Sequence, residues 1–152
     1  MGVSHDFVIV GAGTAGCVLA ARLSEDPGVR VLLLEAGAAE PDPRSAIPPA
    51  WPALRDSASG WGDVTVPQLS GAPVSFPRGR GLGGSSAINA MVFTRGHRSA
   101  YDRWGVKGWG FDDLLPFLRR SERARGRVSP LRGTDGPLPV GPATPAGTAG
   151  PS

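Results

Sequence analysis

The run DFVIVGAGTAGCVLAARLSEDPGVRVLLLEAG, Asp6 to Gly37, constrains the fold of this chain more than any other stretch. Phe7 to Val10 is an apolar, β-branched run suited to a buried strand. Gly11, Gly13 and Gly16 follow with the spacing G-x-G-x-x-G. From Thr14 to Ser24, Val18, Leu19 and Leu23 recur at helical spacing in Ala-rich surroundings of high helix propensity. Asp26-Pro27-Gly28 breaks the helix and turns the chain. Val29 to Leu34 then reads as a second buried strand, ending at Glu35. The pattern predicts a βαβ unit, hence an α/β fold with a parallel pair of strands.

Each glycine of the triplet has a separate physical task in such a unit. Gly11 allows the tight turn out of the strand, Gly13 lets the backbone approach a pyrophosphate, and Gly16 lets helix and strand pack closely. The pyrophosphate would lie at the helix N-terminus, where unpaired N–H groups and the helix dipole favour an anion. Glu35 stands 19 residues after Gly16, at the carboxyl end of the second strand. A carboxylate there accepts hydrogen bonds from ribose hydroxyls and disfavours a 2′-phosphate. Glycine triplets arise easily in a chain with 23 glycines, so the strand before, the helix after and Glu35 make the case for dinucleotide binding. FAD and NAD fit this segment equally well.

A second informative stretch is FPRGRGLGGSSAINAMVFTRGHRSAYDRW, Phe76 to Trp104. It reads as a glycine-rich loop entering a short apolar element, with Ser85 or Ser86 as N-cap. Successive amides around Gly83-Gly84-Ser85-Ser86 could form an anion nest, and Arg78 and Arg80 could neutralise a phosphate. An ordinary flexible loop is the alternative reading. Between the two stretches, Ala38 to Gly60 lacks any period and reads as a long surface excursion. Trp51 and Trp61 are expected as packing anchors there, and Val64 to Val66 as a short strand before Pro67.

Composition narrows the remaining classes. The 152 residues suit about one domain. No run approaches the roughly 18 apolar residues of a membrane span. A single Cys, Cys17, excludes a disulfide framework and a Cys-rich zinc site, and reads as a small buried residue. The net charge is +3, and every cationic residue except Lys107 is arginine. Arginine keeps its charge at high pH, which explains a pI near 10.0. The densest cluster, RRSERARGR from Arg119 to Arg127, lacks interleaved aromatics and reads as a solvated helix end, so no nucleic-acid partner is expected. Phe111 to Glu122 should be that helix, with Asp112 and Asp113 in its first turn and Pro116 kinking it or marking its start. Met1 to Asp6 is too short and polar for a signal peptide, which predicts a cytoplasmic protein.

The run GRGLGGSSAINAMVFTRGHRSAYD, Gly79 to Asp102, resembles the first signature of the glucose–methanol–choline (GMC) oxidoreductases, FAD-dependent flavoproteins acting mostly on alcohols. The Gly-Arg start, Leu82, the double glycine, the double serine, Ile88-Asn89, Phe93, Gly96 and Asp102 carry the resemblance. LLLEAG, WGDVTVPQ, WGVKGWGFDDLLPFLRRSE and DGPLPV are similar to family segments in family order, so the likeness spans Asp6 to Val140 and has a choline-dehydrogenase flavour. The resemblance implies FAD on a Rossmann-like βαβ unit with long loops. Gly11, Gly13, Ala15 and Gly16 would hold the pyrophosphate and Glu35 the adenosine ribose. Arg80, Gly83, Gly84 and Ser85 would line the pyrophosphate and flavin side, and Asn89, Ala90, Met91 and Val92 would pass the isoalloxazine ring. Some members attach FAD through a His just before that Asn; Ile88 stands there, which implies non-covalent FAD.

The family's catalytic base is a His near the far C-terminus, partnered by a second His or an Asn. His5 and His97 match neither position, so the base is expected beyond residue 152. The chain therefore reads as the N-terminal, incomplete FAD-binding part of an alcohol oxidoreductase over residues 1–140, followed by a disordered Pro/Gly/Ala-rich tail over 141–152. Alone it is expected to turn nothing over, to bind FAD weakly and to aggregate, because so few strands leave open edges and a bare apolar face. A small-molecule alcohol is the substrate implied for the larger enzyme, and a flavin-containing lyase is the alternative within the family.

Overall fold

A computed structural model describes residues 4–126 and 129–142. The chain divides into two compact units, Met1–Val92 and Phe93–Ser152.

In the first unit, strand β1 (Phe7–Val10), helix α1 (Thr14–Leu23) and strand β2 (Val31–Leu34) form the expected βαβ unit. The strands are parallel, with Phe7 opposite Val31 and Val10 opposite Leu34. A bond from Gly11 N–H to the Leu34 carbonyl, 2.7 Å, continues the ladder as the chain leaves β1. β2 starts at Val31 rather than at Val29 because the preceding backbone is otherwise engaged. Val29 N–H closes a turn onto the Asp26 carbonyl at 3.0 Å, and Arg30 N–H donates to Asp6 Oδ2 at 2.8 Å.

The strands are far less buried than their composition predicts. Phe7 is 44% exposed, Val8 58% and Val10 83%. Parallel strands bury both faces only when helices or further strands cover them, and among the described residues the sheet has two strands, joined by one helix. Among the described residues, the buried apolar side chains in this unit are Ala12, Leu54 and Ile88. Leu54 closes a one-turn helix α2 (Trp51–Leu54), which follows 3-10 turns at Pro43–Ala46 and Pro48–Ala50.

No strand forms over Val64–Val66. The segment folds back on itself through Phe76 N–H to Asp63 O and Thr65 N–H to Val74 O, both 2.9 Å. The pairing reduces to isolated antiparallel bridges, Val64 with Ser75 and Gly60 with Gly79. Pro67 and Pro73 lack the N–H groups that a longer ladder would need. Trp61 is no packing anchor: it is 52% exposed.

In the second unit, helices α3 (Arg98–Asp102) and α4 (Phe111–Ser121) precede strands β3 (Glu122–Ala124) and β4 (Leu138–Val140). His97 caps α3, its Nδ1 accepting from Ser99 N–H at 3.3 Å. Asp102 reaches across to accept from Phe111 N–H at 2.9 Å, and Phe111, buried, packs on Tyr101. Asp113 Oδ2 accepts from Gly110 N–H at 3.2 Å, an N-terminal cap for α4. Asp112 pairs with Arg98, two contacts of 2.7 Å. Both aspartates are thus engaged at the helix start, as their first-turn placement predicts. Pro116 lies inside α4.

α4 stops at Ser121 because Glu122 is extended and opens β3, parallel to β4 with Glu122 opposite Leu138. That pairing was not foreseen from sequence. Nor was the burial of Glu122, whose side chain is fully enclosed. Its Oε1 accepts from Arg95 Nη2 at 2.5 Å and from Gly133 N–H at 2.8 Å. Arg132 Nε lies 3.0 Å away but is not aimed to donate, so that contact is electrostatic. The basic run is therefore not uniformly solvated: Arg119 and Arg120 occupy the last turn of α4, while the acid among them is an interior residue. The tail expected to be disordered falls almost wholly on residues 143–152, outside the described residues. Among the described residues, no helix is long and apolar enough to cross a membrane, and no group of His, Cys, Asp or Glu is arranged to hold a metal ion.

Candidate functional site

Gly16 packs as its place in the triplet predicts. A Cβ on Gly16 would stand 2.0 Å from the Gly11 carbonyl oxygen, so only glycine lets α1 seat against the strand exit. Gly13 is the N-cap of α1 and supplies no side-chain oxygen. The first N–H groups of a helix have no partners within it, so this end of α1 keeps donors for an anion. Cys17 is half-buried; its thiol donates to the Ala12 carbonyl at 3.1 Å.

The second glycine stretch packs directly on the first. Gly13 and Gly83 form a parallel bridge, and Gly83 N–H donates to the Ala12 carbonyl at 2.8 Å. A Cβ on Gly84 would lie 2.8 Å from the Gly13 Cα. Segments 70 residues apart in the sequence thus meet backbone to backbone at the start of α1. Gly83, at φ 86°, is the left-handed N-cap of the 3-10 turn Gly84–Ala87. This corrects the expectation of a serine cap. Ser85 Oγ instead accepts from Gly79 N–H at 3.2 Å, and the Ser86 hydroxyl donates to the Gly83 carbonyl at 2.6 Å.

Glu35 faces this corner from the end of β2. Its Oε2 accepts from Ala12 N–H at 2.7 Å and its Oε1 from Gly37 N–H at 2.8 Å. These bonds, Gly37 first and Ala12 second, lower its pKa below the ordinary value of 4.5 against an opposing effect of burial. A carboxylate has about four acceptor positions, so Glu35 retains capacity for hydroxyl donors. Gly37 in turn abuts Gly81, where a Cβ would come within 2.4 Å of the Gly81 backbone. Ala12, Gly37 and Gly81 were missed as site residues. The LLLEAG run held the one available signal, a glycine two places after the acid.

Arg80 and Arg78 part company. The Arg80 guanidinium carbon lies 5.1 Å from the centre of the Trp61 ring, a cation–π contact. Arg78 is tied to Asp63, 2.7 Å from Nη2 to Oδ2, and so is already neutralised. A cavity of about 220 Å³ lies beside Arg80, lined by Asp42, Ser45, Leu54, Ser59, Gly84 and Ile88 among others. Asp42 there is held down at about 2 by its side-chain bonds to Arg44. The glycine triplet does not line this cavity.

Ala15, in the first turn of α1, is exposed. Beyond the 3-10 turn, Ile88 is buried, while Asn89, Ala90, Met91 and Val92 are exposed. Met91 has φ 55° and its N–H donates to Asn89 Oδ1 at 2.8 Å. Among the described residues no hydrogen bond joins Asn89–Val92 to Gly11–Gly16. His5 is exposed ahead of β1, and His97 is engaged in the α3 cap.

The residues present fit a dinucleotide such as FAD. Gly13 brings no side chain to the helix start, the second glycine loop leaves no room for a Cβ against it, and the carboxylate of Glu35 closes β2, where such sites carry the acid that binds ribose.

The GMC oxidoreductase family profile matches residues 5–148. An oxygen-dependent choline dehydrogenase of Sinorhizobium medicae is 44% identical over 142 residues, covering 89% of this chain and 26% of its own length. The solved pyridoxine 4-oxidase of Mesorbium loti superposes with a TM-score of 0.84 at 44% identity, over 90% of this chain and 28% of that one. A formate oxidase of Aspergillus oryzae, whose structure concerns FAD modification, gives a TM-score of 0.79 at 36% identity over 90% of this chain and 26% of its own. The chain spans about a quarter of the length of these relatives. With the family pattern running from His5 almost to the last residue, this chain belongs to the GMC oxidoreductases.

Proposed function

We propose that this chain is the FAD-binding part of an oxidoreductase that removes a hydride from the CH–OH group of a small alcohol. The observation that carries the reading is the backbone-to-backbone seating of Gly83–Gly84 on Gly13, at the open start of α1 and beside the ionised Glu35. FAD supplies the hydride acceptor. Gly11, Gly13, Ala15 and Gly16 hold its pyrophosphate by backbone donors, with Gly83, Gly84 and Ser85 closing over it and Arg80 adding a positive charge. Glu35 accepts from the ribose hydroxyls. Asn89, Ala90, Met91 and Val92 lie along the flavin ring.

Attachment is non-covalent: the residue before Asn89 is Ile88, a buried hydrocarbon with no nucleophile. Neither histidine is assigned the substrate proton: His97 is engaged in the α3 cap, and His5 is exposed ahead of β1. A general base must be within hydrogen-bond reach of that proton. These residues on their own therefore bind the cofactor without oxidising alcohol.

The test is a fluorescence titration of the chain with FAD, followed by acid precipitation. Quenching of flavin emission in the wild type is expected, with all flavin released to the supernatant by acid. Gly84→Ala, which sets a methyl 2.8 Å from Gly13 Cα, should weaken binding by about tenfold or more. Equal affinity in the variant would remove the central observation from the argument. Flavin retained in the pellet would refute the non-covalent assignment.

A further inference from the structure

Among the described residues, Met91 is the one non-glycine residue with a positive φ, at 55°. An L side chain in that region is strained, and such strain persists only where the surroundings impose it. Burial does not impose it here, since Met91 is 48% exposed and the next residue, Val92, is 82% exposed. What holds the conformation is the bond from Met91 N–H to Asn89 Oδ1, 2.8 Å. Asn89 in turn follows Ile88, which is 5% exposed and so moors the start of the segment in the core. A side-chain amide fastened one residue from a buried anchor thus sets the backbone of an otherwise exposed run. No hydrogen bond among the described residues employs the N–H of Val92, which follows the left-handed residue.

We propose that Asn89 is a positioning residue, which locks Met91 in the left-handed conformation and so fixes the direction of the Met91–Val92 peptide toward the flavin. The inference rests on the reading that Asn89–Val92 borders the ring. It adds that this border is set before the cofactor arrives, by one side-chain-to-backbone bond. Preorganisation of that kind removes the ordering that a free exposed segment would otherwise undergo on binding.

The test compares the wild-type chain with Asn89→Ala, Asn89→Asp and the double variant Asn89→Ala/Met91→Gly. Two readouts are taken: the Cα and Cβ chemical shifts and amide coupling of Met91 without cofactor, and the FAD dissociation constant by fluorescence quenching. In Asn89→Ala the Met91 shifts should move to extended values, with FAD binding weakened on the order of tenfold, the scale of the left-handed penalty. Asn89→Asp keeps the acceptor and should keep the wild-type Met91 shifts. Glycine at 91 carries no left-handed penalty, so the double variant should recover FAD affinity to within about threefold of wild type. Purely structural loss at Asn89 would not be repaired by a glycine two positions on. Met91 remaining left-handed in Asn89→Ala overturns the proposal, as does failure of the double variant to recover. Relaxed Met91 shifts with unchanged FAD affinity overturn the positioning role while leaving FAD binding intact. Absence of FAD binding by the wild type overturns the cofactor reading as well.

Discussion

At the scale of single residues, two acids carry most of the chemistry. Glu35 has both oxygens occupied by backbone N–H donors of Ala12 and Gly37, which is why its pKa falls. A carboxylate whose folded pKa lies below its unfolded one stabilises the fold at pH above the unfolded value, and loses that effect as pH falls through the folded value. Glu35→Gln should therefore cost about 1–2 kcal/mol at pH 7. The deficit should shrink below pH 4.5, as urea unfolding at a series of pH values would read. A deficit independent of pH would mean that Glu35 acts through packing. Glu122 is the other case. It is fully buried with Arg95 and Arg132 around it, and its Oε2 has no hydrogen-bond partner among the described residues. Removing one member of a buried ion cluster strands the others, at about 3–5 kcal/mol. Glu122→Ala should accordingly melt the second unit far below wild type, as followed by near-UV circular dichroism of Trp104 and Trp109.

At the scale of elements, the βαβ unit has the expected order and parallel pairing yet is poorly covered. β1 and β2 present Phe7, Val8, Val10 and Leu34 to solvent. A side chain left half in water forgoes roughly 1 kcal/mol of the stabilisation full burial would give, and an exposed apolar edge invites pairing with another copy. Val8→Thr and Val10→Thr keep β propensity while adding a hydroxyl. The double substitution should raise the monomer fraction on gel filtration by severalfold, with little change in the unfolding midpoint. Helices α1 and α4 were legible because their signals are local: acids at the start of α4 and breakers at Asp26-Pro27-Gly28 act within a turn. The β3–β4 pair was not, because three-residue strands, ERA and LPV, carry no period. Their pairing follows from Glu122 being drawn inward by charges from elsewhere in the unit.

At the scale of the whole molecule, the chain is a GMC oxidoreductase sequence in two compact units, and the proposed function gives these residues the holding of FAD. Addition of a primary alcohol to the FAD-loaded chain under anaerobic conditions should leave the flavin absorbance unchanged. Bleaching would show that a base is present after all and sink the non-catalytic reading of these residues. The sequence alone determined the β1–α1–β2 unit, the need for glycine at position 16, and the place of Glu35 at the strand end. These depend on spacing along the chain and on what glycine permits locally. Tertiary structure alone decided that Gly83–Gly84 would sit on Gly13, that Gly37 would abut Gly81, that Arg78 would be claimed by Asp63 while Arg80 stacks on Trp61, and that Glu122 would be interior. Each of these joins residues distant in the chain or chooses among chemically equal partners, and such choices are made by close packing and by the cost of burying unpaired charge.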